Sequence, residues 1–211
     1  MLKPAVWIGG LLPLTLLVVA GATGTLEADP VKDITHRTGK AVLTLLLCTL
    51  AVTPVRRLTG WNGVIAARRP LGLFAFFYAV LHFFIYLGDQ AFAPAYIVAD
   101  VVEHPYVTAG FTAFCLLIPL ALTSTKASIR RLGKRWVKLH RLIYAAAALG
   151  VIHFLWSVKK DVREPLIYAT VLAVLLATRI PAWLEQRRKP GAASARRAPA
   201  RAAAGSPHPA P

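Results

Sequence analysis

Two histidines, His82 and His153, sit inside runs of residues apolar enough to cross a membrane. An ionisable side chain in hydrocarbon is costly, so a pair at a similar depth points to a shared ligand. His82 lies eleven residues past Leu71, where its run begins, and His153 fourteen past Leu139. At 1.5 Å per residue these are depths of roughly 16 and 21 Å from the same face, which puts both in the outer half. Neutral imidazole is a strong axial ligand for haem iron. One nitrogen from each of two facing helices gives a six-coordinate site suited to electron transfer rather than oxygen binding. The aromatic residues Phe83, Tyr86, Phe154 and Trp156 are neighbours of this pair in sequence. For either histidine alone, the competing reading is a hydrogen bond to a neighbouring helix. For the set, it is a proton relay in a small transporter or channel.

The elements that must hold such a pair are membrane helices. The chain has 211 residues, 56% of them hydrophobic, and a mean hydropathy of +0.56. Its apolar residues fall in six blocks, approximately Val6–Gly24, Lys40–Val55, Leu71–Gly88, Tyr106–Leu122, Leu139–Val158 and Pro165–Trp183. Each is long enough to cross or nearly cross a bilayer, which predicts an all-α integral membrane protein, a bundle of six transmembrane helices. No soluble catalytic domain is expected. A net charge of +16 would suggest nucleic acid in a soluble protein, but in a membrane protein Lys and Arg mark the cytoplasmic links. The links alternate. The first (Glu27, Asp29, Lys32, Asp33, Arg37) is net −1 and the second (Arg56, Arg57, Arg68, Arg69) is +4. The third (Asp89, Asp100, Glu103) is −3, the fourth, from Lys126 to Lys138, is +6, and the mixed fifth is +1. Both termini are therefore expected in the cytoplasm, with a lipid bilayer and not a nucleic acid as partner. A cleaved signal peptide ending near Ala20–Gly24 is the rival account of the first block.

Three regions follow from this division: residues 1–30 with the first span, 31–185 as a haem-binding core, and 186–211 as a disordered basic Ala/Pro-rich tail. Within the fourth link, Ile129 to His140 is either an amphipathic interfacial helix or a plain topology signal anchored by Trp136. His140 opens the fifth block, thirteen residues before His153. That spacing leaves the two side chains about 140° apart on a straight helix, so both face one interior only if the helix bends, for which Gly150 is a candidate. Arg68 and Arg69 stand fourteen and thirteen residues before His82, where a fourth histidine would complete a second pair. An arginine there could hold a haem propionate, a flavin phosphate or a lipid phosphate. His140 is thus a weaker metal ligand, a quinone- or flavin-pocket residue, or an interfacial cap. His36 and His104 read as solvated link residues, and Cys48 and Cys115 as small packing residues. Transport is disfavoured because the spans show no paired Gly/Pro-interrupted halves and no interior acids.

Several segments together resemble a known family: Asp33-Ile-Thr-His-Arg-Thr-Gly39, Thr53-Pro-Val-Arg56, Arg68-Arg-Pro-Leu-Gly-Leu73 leading to Leu81-His82, Thr123-Ser-Thr125, Leu132-Gly-Lys-Arg-Trp136 with Leu139-His140, and His153-Phe-Leu-Trp-Ser-Val158. They are similar to the MsrQ family, the haem-binding membrane subunits of bacterial protein-methionine-sulfoxide reductase systems, within the ferric-reductase-like transmembrane group. The similarity covers roughly residues 30 to 183. It implies a multi-pass b-type haem protein of the bacterial inner membrane, with one haem or two. Such a protein takes electrons from the quinone pool and passes them to a periplasmic molybdopterin methionine-sulfoxide reductase, where catalysis resides. The resemblance makes His82 and His153 the axial pair and His140 the third matching histidine, with FMN a further candidate cofactor. Only 28 residues follow Trp183 and they hold no Gly-rich nucleotide loop, so the donor is expected to be a membrane quinol or, second, a cytosolic flavin reductase. A stand-alone cytochrome reducing ferric iron or oxygen is the other alternative.

Overall fold

The computed structural model describes residues 2–158 and 161–180, with side chains from residue 4 onward. Lys159, Lys160, the end of the sixth apolar block at Trp183 and the 186–211 tail lie outside the described residues. The described elements are helices: α1 (Leu2–Ala22), α2 (Pro30–Thr59), a 3-10 turn (Asn62–Val64), α3 (Ile65–Asp89), α4 (Pro94–Glu103), α5 (Pro105–Leu122), α6 (Lys126–Leu132), α7 (Lys134–Leu139), α8 (Leu142–Ser157) and α9 (Arg163–Ala177). Among the described residues, five helical stretches are long and apolar enough to cross a membrane: Pro4–Ala22, Pro30–Thr59, Asn62–Asp89, Pro105–Leu122 and Lys134–Ser157. The chain is an all-α integral membrane protein.

α2 begins ten residues before the apolar block that marks it in the sequence. Asp29 caps it, accepting the Lys32 N–H at 3.1 Å, and Pro30 takes the first helical position, where no N–H is needed. Asp33 therefore rides on the helix rather than in a link, paired with Arg37 one turn on at 2.7 Å. The hydroxyls of Thr35 and Thr38 are satisfied by carbonyls one turn back. With its polar side chains supplied locally, the segment stays helical despite its charge.

One tyrosine supports α1 around its internal proline. Pro13 disturbs the helical ladder, and the buried Tyr78 of α3 inserts its hydroxyl into the gap. That hydroxyl accepts from the Leu14 N–H at 3.0 Å and donates to the Gly10 carbonyl at 2.7 Å. The fourth link does not form one interfacial helix. Gly133, at φ +49°, separates α6 from α7 with a conformation side chains disfavour.

α2 packs chiefly on α3, and α5 on α8; α1 leans on α3 and α2. Small side chains let these backbones approach: Ala75 and Ala146 are fully buried and Ala147 nearly so. Cys48 and Cys115, expected to pack, are instead exposed on the outer faces of α2 and α5. Residues 1–173 form one compact unit, and the second begins at Val174.

Candidate metal centre

The rings of His82 on α3 and His153 on α8 have centroids 6.1 Å apart and planes at 82°. A separation of this order would leave room for one metal ion held by a nitrogen of each ring. His82 Nδ1 lies 3.0 Å from the Thr35 carbonyl, and the Thr38 hydroxyl is 3.3 Å away. His153 Nδ1 lies 2.7 Å from the Tyr106 carbonyl. A carbonyl only accepts, so each Nδ1 carries the proton and each Nε2 keeps its lone pair. This is the outer-shell arrangement that fixes a metal-ligating histidine. Among the described residues no group of three or more His, Cys, Asp or Glu could hold a bare metal ion. His82 and His153 would be the two protein ligands of a metal that comes with its other ligands already attached, as haem iron does.

The two halves of the site are built alike. Each histidine is separated by 47 residues from the carbonyl that holds it. Each also packs against a glycine one turn past that carbonyl. A methyl on Gly110 would lie 2.7 Å from His153 Nδ1, and one on Gly39 would lie 3.2 Å from His82 Cε1. Thr35-Gly39-His82 and Tyr106-Gly110-His153 thus repeat one geometry in the α2–α3 and α5–α8 pairs. An aromatic seam runs beside them, with Phe83 stacked on Phe114 at 4.8 Å. Phe154 meets Tyr168 of α9 edge-on, while Trp156 points outward.

A second feature lies toward the basic end. His140 and Arg141 form the turn between α7 and α8, so the bend that releases His140 from the register of His153 falls there and not at Gly150. The Thr123 hydroxyl donates to the Pro119 carbonyl at 2.6 Å and stands 3.0 Å from His140 Nε2. Nε2–H is therefore the donor to Thr123, and the free lone pair of His140 is on Nδ1. Trp136 stacks on the ring at 3.9 Å and anchors its own Nε1–H on the Thr123 carbonyl. His140, Arg68 and Arg69 line a cavity of about 260 Å³ whose other walls include Phe76, Leu117 and Leu120.

Residues 38–151 match the family described as ferric reductase like transmembrane component. Among relatives, the protein-methionine-sulfoxide reductase heme-binding subunit MsrQ of Ralstonia nicotianae is 52% identical over 180 residues, covering 83% of both chains. The subunits of the same name from Deinococcus radiodurans (51% identical, covering 85% of this chain and 89% of the relative) and Herminiimonas arsenicoxydans (48%, covering 89% and 88%) are equally close in kind. The chain belongs to the MsrQ family. No solved structure matches it. As an MsrQ-family protein it is a multi-pass protein of the bacterial inner membrane.

The structure brings His82 and His153 together and sets His140 apart with Arg68 and Arg69. His36 is exposed. His104 is half exposed and bonds Asp100 at 2.9 Å. Residue types and spacing alone assign no site role to Thr35, Gly39, Tyr106 or Gly110. The signal available for them is that Gly39–His82 and Gly110–His153 span the same 43 positions.

Proposed function

We propose that this chain is the electron-transferring haem subunit of a protein-methionine-sulfoxide reductase, with His82 and His153 as the axial ligands of a b-type haem. The observation that carries the proposal is the pair of Nδ1–H bonds to the Thr35 and Tyr106 carbonyls, which aim two lone-pair nitrogens from rings 6.1 Å apart. A bound haem supplies one-electron redox chemistry; the protein supplies ligation, orientation and an apolar surround. The alternating link charges support six crossings with both termini cytoplasmic, which places the histidine pair toward the periplasm. Methionine-sulfoxide reduction itself belongs to a soluble periplasmic partner of the molybdopterin class.

Electrons enter from the cytoplasmic half. The cavity at Arg68, Arg69 and His140 joins cationic and hydrogen-bonding groups to apolar walls, which suits a quinol ring that can donate to the free Nδ1 of His140. A second haem, or FMN with its phosphate on an arginine, is the alternative occupant there, and a cytosolic flavin reductase the alternative donor. The deciding experiment measures haem per polypeptide and reduced-minus-oxidised spectra for the wild type and for His82→Ala, His153→Ala and His140→Ala. Loss at 82 and 153 with a smaller change at 140 is expected. Full haem retention in all three variants refutes the assignment.

A further inference from the structure

α4 is a helix that the bundle holds firmly yet leaves half bare. On its inner side, Asp100 accepts from the Tyr86 hydroxyl of α3 at 2.7 Å and from His104 at 2.9 Å. The Val101 carbonyl accepts from the Thr108 hydroxyl of α5. These bonds fix which face turns outward, and that face is apolar: Tyr96 is 69% exposed, Val98 62% and Val102 77%. Its rim is acidic, with Asp89 before it and Glu103 at its end, and no Lys or Arg occurs between Pro70 and Thr125. A helix lying on a membrane surface carries its Lys and Arg on the polar face; this one has the opposite sign. An apolar patch with an anionic rim is instead complementary to a protein that presents an apolar patch inside a basic rim.

The position of the face gives it a purpose. From His153 the rings continue to Tyr106 at 6.1 Å and to His104 at 5.6 Å, so the metal centre reaches the surface beside the end of α4. We infer that the outward face of α4, bounded by Asp89, Glu103 and His104, is the docking surface for the soluble redox partner, a protein with a basic contact face. The inference rests on the reading of this chain as a haem subunit that serves such a partner.

The test uses the full-length haem-loaded protein in phosphatidylcholine nanodiscs and the purified soluble methionine-sulfoxide reductase, with the Kd of their complex as readout. Val98→Asn combined with Val102→Asn removes the apolar patch, and Glu103→Lys reverses the rim. Each is expected to weaken binding about tenfold or more, with wild-type binding falling as salt rises, and with haem spectra unchanged. Wild-type binding that survives both variants overturns the docking face alone. A wild type that does not bind the reductase overturns the functional reading beneath it.

Discussion

The close packing of two glycines on the two histidine rings gives a graded expectation. In Gly110→Ala the new methyl would sit 2.7 Å from His153 Nδ1, against an ordinary contact of 3.4 Å or more. The ring must therefore retreat by about 0.7 Å, and a 2.7 Å Nδ1–H···O bond cannot follow that far and stay a good hydrogen bond. In Gly39→Ala the methyl would lie 3.2 Å from His82 Cε1, which a shift of about 0.2 Å relieves. Loss of an outer-shell partner typically costs 10–100-fold in metal affinity. Haem titration of the apoprotein should thus show a loss of about that size for Gly110→Ala and less than about tenfold for Gly39→Ala. Ala favours helix over Gly by about 1 kcal/mol, so neither variant should fail through loss of its own helix. Circular dichroism of the apoproteins checks that point. Unchanged haem affinity in Gly110→Ala, or a larger loss in Gly39→Ala, would refute the idea that these glycines set the ring positions.

Other outcomes follow from the same structure. Tyr78→Phe removes the hydroxyl that bridges Leu14 and Gly10 around Pro13; thermal unfolding in detergent should show about 1–3 kcal/mol less stability. Glu164→Gln breaks only the half-exposed pair with Lys40 at 3.3 Å, and the same assay should register less than about 1 kcal/mol. His140→Ala should leave the spectrum of the His82–His153 centre in place while slowing haem reduction by a quinol analogue, measured by stopped flow.

The helices were legible because hydropathy is a property of residue types, and so was the pairing of His82 with His153, because ionisable groups in apolar runs stand out. What escaped the sequence lies in the backbone. The groups that orient both histidines are carbonyls of Thr35 and Tyr106, and a carbonyl has no residue-type signature. The start of α2 was hidden because Lys32, Asp33 and Arg37 read as a polar link, although an Asp29 cap and threonine back-bonds make them helical. Gly150, the glycine nearest His140 within the fifth apolar block, is not the bend; a side chain there would meet Leu43 of α2 at 3.0 Å. The turn falls at the helix junction, where His140 is held through Thr123 and Trp136, a contact between segments seventeen residues apart.

The duplicated helix pair also says how the centre assembles. His82 is held by the Thr35 carbonyl of α2 and His153 by the Tyr106 carbonyl of α5, so on the proposed reading each helix pair is a half-site with one ligand. A porphyrin iron held as proposed would need both halves, and its binding energy would tie α3 to α8. Bound haem should therefore stabilise the assembled bundle by RT ln(1 + [L]/Kd), about 2.7 kcal/mol at a hundredfold excess of free haem over Kd. Removing either imidazole should remove most of that increment, on top of a loss of about 1–3 kcal/mol in the apoprotein from the carbonyl of Thr35 or Tyr106 left unpaired. Equal haem-induced shifts in Tm for the wild type, His82→Ala and His153→Ala would show that the group binds elsewhere.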